Sequence, residues 1–384
     1  MIKREIDYSE SIECSRPEGY QYFEQLREHL GGSLDKIFNG ELVYPRQLEV
    51  HLPSDGVKRC NFNCYWCQGN LLDRSLVRYE EELFKLLEQL KDKDIHYVVQ
   101  GGNYSESLFS PYALDLVRVT KQDLKASYGI HTNGSLLLEL EKTQSFLSEL
   151  NKLATSKEDY LSISLDAGTV KSHTRGHGLN VNWFDTVIEG IRVMSQIRGG
   201  SPFPAIRICY LLNEFNSSQK ELEGMVRIAN ELNVDSLKFS IPYDLYGKDF
   251  DTVRKYKRQT EVIKDREYKE RLLPLINSSD KKTQVFYLSP FTQDVDRMNF
   301  KQCIYGYFQI TAGADGYWYR CSSMASPTFR FNRLGKITSN LEQWHQAVML
   351  NQSPLFDPSL CFRAGGRCNR MALECNNEWE AMNV

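Results

Sequence analysis

At 384 residues the chain is long enough to bury a large core and to hold one large domain with a smaller one beside it. Lysine and arginine total 47 against 50 acidic residues, and the resulting net charge of -3 gives no chain-wide field for a nucleic acid or an anionic membrane surface. The opening MIKREIDYSESIEC is charged rather than apolar, and no run approaches the ~18 consecutive apolar residues of a membrane span, so a cytoplasmic protein without a membrane partner is expected.

Residues 1–45 carry an amphipathic pattern from Tyr20 to Leu30 and a Gly-Gly break, and read as an N-terminal extension. From 46 to 245 strand-like and helix-like segments alternate. LEVHL (48–52), IHYVVQGG (95–102), YGIHTNG (128–134), LSISLDAG (161–168), AIRICYLL (205–212) and SLKFSI (236–241) are apolar or alternating runs that end in polar or glycine-rich loops. Between them, Leu83, Leu86, Leu87 and Leu90, then Phe184, Val187, Ile188 and Ile191, then Leu222, Met225, Val226 and Ala229 are spaced to give each helix one apolar face. Ser218-x-x-Glu221 is a capping-box signal at the start of the last. Repeated strand–helix units with right-handed crossovers build a parallel α/β sheet; six suit a partial barrel as well as a doubly wound sheet. In both, the loops leaving the C-terminal ends of the strands share one edge, where ligands bind. Residues 246–300 read as a charged, mostly helical connector, and from 301 to 384 the composition turns aromatic, glycine-rich and cysteine-rich.

Ten cysteines without an export signal favour ligation or free thiols over disulfides. Cys14 and Cys209 stand alone and read as incidental or core thiols. In CNFNCYWC, Cys60, Cys64 and Cys67 fall three and two residues apart, a pattern that arises somewhere in such a chain by chance with a probability of roughly 0.007. A structural zinc site wants four closed ligands, and a cubane cluster normally takes four cysteines. Three thiolates leave one iron of a cubane open.

This Cys-x3-Cys-x2-Cys loop, with the aromatic Trp66 before its third cysteine, resembles the signature of the radical S-adenosylmethionine (SAM) superfamily. The resemblance implies a partial (β/α)6 TIM-like barrel and a [4Fe-4S] cluster whose open iron is chelated by SAM. It further implies an electron from a flavodoxin- or ferredoxin-type donor, cleavage of the sulfonium, and a 5'-deoxyadenosyl radical that removes hydrogen from an unactivated carbon. Gly101-Gly102 is similar to the family's GGE element, with Asn103 in place of the glutamate. His131-Thr132-Asn133-Gly134 resembles the TNG turn, and Ser164-Leu165-Asp166 the SLDG strand end, followed by His173 and Arg175-Gly176. By resemblance, Trp66, Gly101, Gly102, Asn133, Ser164 and Asp166 surround the cofactor, and Arg175 or Arg207 pairs with its carboxylate.

Cys303 and Cys321 flank CIYGYFQITAGADGYWYRC, whose middle reads as a β-hairpin turning at Asp315-Gly316, so that two distant thiols become neighbours. The stretch is similar to the opening of SPASM and Twitch auxiliary domains, which implies one auxiliary [4Fe-4S] cluster in a small C-terminal α+β domain. Cys361 and Cys368 would complete its ligands, with Cys375 able to replace either; structural zinc is the alternative. Only 47 residues precede the first strand, too few for a peptide-leader module, so a small polar metabolite (a sugar, aminocyclitol or nucleoside) undergoing oxidation or epimerisation is the leading expectation. Peptide maturation and a non-catalytic iron–sulfur or zinc scaffold are the alternatives.

Overall fold

In a run of alternating apolar and polar residues, successive side chains point to opposite faces, so a strand series of this kind makes a sheet with one dry face and one polar face. A computed structural model describes residues 36, 39–53, 60–67, 77–101, 105–241, 259–278, 282–288, 305–322, 325 and 332–353. The six expected strands are present as β1 (Gln47–Val50), β2 (Tyr97–Gln100), β3 (Ser127–Thr132), β4 (Tyr160–Ser164), β5 (Ala205–Leu211) and β6 (Ser236–Ser240). Helices α1 (Glu80–Gln89), α2 (Ala113–Gln122), α3 (Leu137–Gln144), α4 (Phe146–Leu153), α5 (Val170–Gly176), α6 (Phe184–Arg198) and α7 (Gln219–Glu231) lie between them.

The connector of residues 246–300 contains the expected helix, α8 (Gln259–Ile276), but also a seventh strand, β7 (Gln284–Leu288), parallel to β6. The polar and charged residues around QVFYL hid a four-residue apolar run; Val285, Phe286 and Tyr287 are buried, and the Tyr287 hydroxyl donates to Asp265 Oδ1 at 2.6 Å. Beyond it come the single turn α9 (Tyr305–Phe308), strands β8 (Gln309–Ala312), β9 (Tyr317–Tyr319) and β10 (Arg333–Lys336), and helix α10 (Leu341–Asn351). The ten strands form one sheet in the order β10-β9-β8-β1-β2-β3-β4-β5-β6-β7. It is parallel from β8 to β7 and antiparallel over the C-terminal hairpin. Among the described residues β7 and β10 are edges that do not pair with each other, so the α/β sheet is an open, partial barrel. Residues 309–319 form the expected hairpin; Gly316, at φ +82°, adopts the left-handed turn conformation that favours glycine. Its first strand hydrogen-bonds β1, so the hairpin extends the main sheet.

Register decides which face each side chain joins. Ile130, Leu161 and Ile206 lie in one row and Ile163, Ile208, Leu237 and Val285 in the next; all are buried under the helices. Leu83, Leu86, Leu87 and Leu90 of the first helical pattern are fully buried, each worth ~1.5–3 kcal/mol on removal from water. The intervening residues face the inside of the partial barrel. There Tyr160, Ser162, Arg207, Cys209 and Lys238 share one face with Glu49 and His131. No helix among the described residues is long and apolar enough to cross a membrane.

At the opposite end of the sheet from the cysteine loop, one buried carboxylate ties three segments together. Asp159, fully buried, accepts from Tyr128 N at 2.9 Å, Thr155 N at 2.8 Å, Ser156 N at 2.9 Å and the Lys121 ammonium at 2.8 Å. Asp159→Ala leaves the ammonium and three amides without their acceptor, and urea unfolding of the metal-free protein is expected to show a loss of about 3–5 kcal/mol.

Candidate functional site

Residues 60–67, the described part of the cysteine loop that follows β1 in the chain, contain no helix or strand, so their position depends on what their backbone docks against. That partner is the C-terminus of α5. The helix ends in a Schellman motif: Leu179 N donates to Thr174 O at 2.9 Å and Gly178 N to Arg175 O at 3.3 Å, with Gly178 at φ +59°. The next carbonyls are thereby turned toward the loop, and Asn63 N donates to His177 O at 2.9 Å and Tyr65 N to Gly176 O at 3.4 Å. A Cβ on Gly178 would sit 2.5 Å from Asn63 O, and one on Gly176 would sit 3.2 Å from the Trp66 ring. Phe62 and Trp66 clamp the His177 ring at centroid distances of 5.0 and 5.2 Å. Trp66 therefore anchors the loop, and Arg175 is exposed with its guanidinium over the Phe215 ring at 4.6 Å.

The turn after β3 holds the other side. Asn133 Nδ2 donates to Asn61 Oδ1 at 2.9 Å and to Cys60 Sγ at 3.5 Å, while Asn133 Oδ1 accepts from Ser135 N and Oγ at 2.9 and 2.7 Å. The sequence reading overlooked Glu106. Its buried carboxylate accepts from Thr132 Oγ1 at 2.6 Å and Asn133 N at 2.7 Å, bracing the turn that reaches Cys60. Burial raises its carboxyl above the ordinary value, against the pull of those hydrogen bonds. An acid three residues past Asn103 was the available signal. Gly102 and Asn103 themselves lie outside the described residues, as do Cys303, Cys361, Cys368 and Cys375. Gly101 is described, and a Cβ there would fall 2.6 Å from Glu49 Oε1 and 2.9 Å from His51.

The capping box of α7 is half made. Ser218 caps the helix as expected, accepting from Glu221 N, but the Glu221 carboxylate crosses to the loop after β4. It accepts from Gly168 N at 2.8 Å, Thr169 Oγ1 at 2.7 Å and Ser172 Oγ at 2.6 Å, fixing the start of α5 and, through α5, the cysteine loop. Asp166, at φ +50°, accepts from Leu211 N at 2.5 Å and lies 3.9 Å from His177 Nε2. Ser164 stands at the end of β4, in register with Cys209. Arg207 lies deeper on the inner face, over the Tyr160 ring at 4.0 Å. The structure therefore brings Cys60, Cys64, Cys67, Trp66, Asn133 and Asp166 to one edge, with Arg175 at its rim and Arg207 below it.

The donor set suits an iron–sulfur cluster. None of the three cysteines is in a disulfide, and each is half-buried. Cys60 Sγ accepts from Phe62 N at 3.4 Å as well as from Asn133, and Cys64 Sγ lies 2.9 Å from His177 Nδ1. Three cysteine sulfurs are the ligand type a cubane takes, each on a different iron. Burial, then the charge of Glu106, pushes the Cys60 thiol up to about 12, with Cys67 adding to it. Burial, then Cys67 and Cys60, pushes Cys64 well above its ordinary value. Such mutual repulsion among thiolates is relieved when a cationic iron core binds. Desolvation holds His177 down to about 4 and His173 down to about 3.

The family model described as the Radical SAM superfamily matches residues 56–221. A curated protein, the GTPase Obg of Brachyspira hyodysenteriae, is 26% identical over 189 residues, 47% of this chain and 26% of that protein. The chain thus spans about a quarter of that relative's length, and it contains no G-x-x-x-x-G-K-[ST] phosphate loop. Among solved structures, Streptococcus suis SuiB superposes with a TM-score of 0.54 at 17% identity, covering 82% of this chain and 68% of that one. SuiB bound to the precursor peptide SuiA gives 0.55 at 16%, covering 82% and 67%. At these identities the likeness is one of fold.

Burial raises the Asp166 carboxyl to about 7, against the Leu211 hydrogen bond and the Lys238 charge. The folded chain holds that proton more tightly than the unfolded chain, so stability present below pH ~4 is lost as pH rises toward about 7. Asp166→Asn, which keeps the acceptor for Leu211 N, is expected to flatten this slope in denaturation curves of the metal-free protein recorded from pH 4 to 8.

Proposed function

Residues 56–221 are a radical SAM domain, and from that premise we propose that the chain reductively cleaves SAM and abstracts hydrogen from an unactivated C–H of a small polar metabolite. The observation that carries this reading is the loop itself: three cysteines outside any disulfide at the C-terminal edge of a parallel sheet, with amide N–H donors on Cys60 Sγ. Cys60, Cys64 and Cys67 would hold the [4Fe-4S] cluster, which when bound supplies the electron for cleavage and an iron for the amino and carboxylate groups of SAM. Trp66, Gly101, Gly102, Asn133, Ser164 and Asp166 would surround SAM, with Arg175 or Arg207 toward its carboxylate. A flavodoxin- or ferredoxin-type protein would deliver the electron.

The inner face below this edge supports a polar substrate. Glu49 and His51 pair at 2.8 Å, Gln309 Nε2 donates to Glu49 Oε2 at 2.8 Å, and His131 Nε2 lies 3.0 Å from the Tyr160 hydroxyl. Burial, then the charge of Lys238, lowers His131 to about 4, with Arg207 and His51 adding and Glu49 opposing. Burial raises Glu49, but the hydrogen bond and charge of His51, with His131 and Ser322, outweigh it and leave the carboxyl below its usual value. A charged interior of this kind suits hydroxyl, amino or carboxylate groups, and oxidation or epimerisation of such a molecule is the reaction we favour. The second reading, peptide modification, is favoured by the fold shared with SuiB, whose complex contains a precursor peptide.

Anaerobic reconstitution with iron and sulfide, followed by SAM and dithionite, is expected to release 5'-deoxyadenosine, and Cys64→Ala to abolish that release. A protein that loads its full iron and cleaves no SAM under any reductant would overturn the reading. Cys321, which follows β9, would be one ligand of an auxiliary [4Fe-4S] cluster with Cys303, Cys361 and Cys368 or Cys375. Cys321→Ala is then expected to lower iron from about eight to about four per chain; zinc in place of the lost iron would point to a structural metal site instead.

A further inference from the structure

Of the described residues of the cysteine loop, 60–67, only Asn63 and Tyr65 are exposed, and Tyr65, at 51% exposure, lies between Cys64 and Cys67 in the chain. Its ring meets that of Phe215 edge-on at 5.3 Å, and the Arg175 guanidinium covers Phe215 at 4.6 Å. Lys171 lies four residues before Arg175 on α5, so the two share a face of that helix, and both are exposed. Ser172, next to Lys171, donates to Glu221 at 2.6 Å, which brings the exposed Lys220 at the start of α7 alongside. None of these three cations is paired with a carboxylate among the described residues. No acid occurs from residue 167 to 184, and Glu214 is the one acid in 213–220; the Glu221 carboxylate is spent on Gly168, Thr169 and Ser172. An aromatic platform on the cysteine loop is thus bordered by surplus positive charge, on a chain whose net charge is -3.

We propose that this rim, with Tyr65 at its centre and Lys171 and Lys220 beside it, is where the electron carrier docks, and that the carrier is a protein with an acidic face around its own redox group; the proposal rests on the SAM-cleaving reading above. One electron passes per encounter: the carrier is oxidised, the cluster held by Cys60, Cys64 and Cys67 is reduced, and no bond forms between the two proteins. Electron transfer weakens steeply with separation, and a carrier seated on the exposed side chains of the cysteine loop comes close to the sulfurs. A transient encounter of this kind needs little area, below about 1,200 Å² in total, and aromatic and arginine side chains are the residues such contacts favour. Opposite charge at the border speeds and orients the approach, and added salt screens it. A nucleic acid would need a longer basic track, and the balance of charge along this chain supplies none.

The test compares two electron sources for 5'-deoxyadenosine release by the anaerobically reconstituted full-length chain: dithionite, which needs no docking surface, and a reduced flavodoxin of acidic surface. The double variant Lys171→Glu, Lys220→Glu is expected to raise the KM for flavodoxin about tenfold and to flatten its dependence on salt, with iron content and the dithionite-driven rate unchanged. Lys171→Arg with Lys220→Arg is expected to behave as wild type. Calorimetric titration of flavodoxin into the same proteins should show a loss of affinity of the same order. An unchanged KM and affinity after charge reversal, an equal loss with dithionite, or a wild-type chain that dithionite drives and flavodoxin does not, overturns the inference and leaves SAM cleavage standing. Tighter binding of a short DNA duplex or RNA than of flavodoxin also overturns it, since the charge would then serve a nucleic acid. A wild-type chain that loads iron and releases no 5'-deoxyadenosine with either source overturns the SAM-cleaving reading, and the docking inference with it.

Discussion

A loop without regular structure can present three sulfurs in fixed geometry only if its backbone is held from outside, and here the end of one short helix does most of the holding. The C-terminal carbonyls of α5 take the amides of Asn63 and Tyr65, and the left-handed residue Gly178 lets the chain turn away without striking Asn63. The last carbonyls of a helix lack intrahelical partners, so binding a loop there satisfies both segments. Trp66 and Phe62 then fill the space beside His177, converting a polar contact into a packed one. Each of these features serves the same end, which is to fix the sulfurs in the absence of metal.

The helix in turn is fixed by acids that look unremarkable in the sequence. Glu221 belongs to α7 by position but spends its carboxylate on Gly168, Thr169 and Ser172. A Cβ on Gly168 would lie 2.2 Å from Glu221 O, so the two segments meet at backbone distance. Glu106 does the equivalent on the far side by holding Thr132 and Asn133. The two carboxylates let loops from β2, β3, β4 and β5 act on the cysteine loop as one rigid rim. These hydrogen bonds give buried, irregular backbone the acceptors that water would otherwise supply.

The sheet separates stability from chemistry by face. Its helix-covered rows are aliphatic and aromatic, from Leu48 and Val98 through Ile163 and Ile208 to Val285. Its inner rows hold Glu49, His131, Ser162, Arg207 and Lys238, groups that would be costly in a closed core and are kept by pairing with one another, as Glu49 is with His51 and Gln309. The same alternation that builds the core therefore builds the polar interior beneath the cysteine loop.

Much of this was legible from local pattern. Strand and helix positions follow from apolar periodicity, and the cysteine spacing, the Asn133 turn and the Asp166 strand end all carry short-range signals that survive without coordinates. The seventh strand did not, because charged neighbours masked the apolar run at 285–288; nor did the merging of the C-terminal hairpin with β1, since parallel pairing between distant strands leaves no mark on either. Glu221 was read as its own helix's cap and Glu106 not at all, and Arg207 was grouped with the edge although its register places it deeper. The sequence by itself determined which residues are chemically able to take part, because ligand type, turn residues and periodicity are local properties. Which of them meet was decided only by the tertiary structure, because a side chain's partner across a sheet edge is set by register and helix docking, and these depend on contacts far apart along the chain.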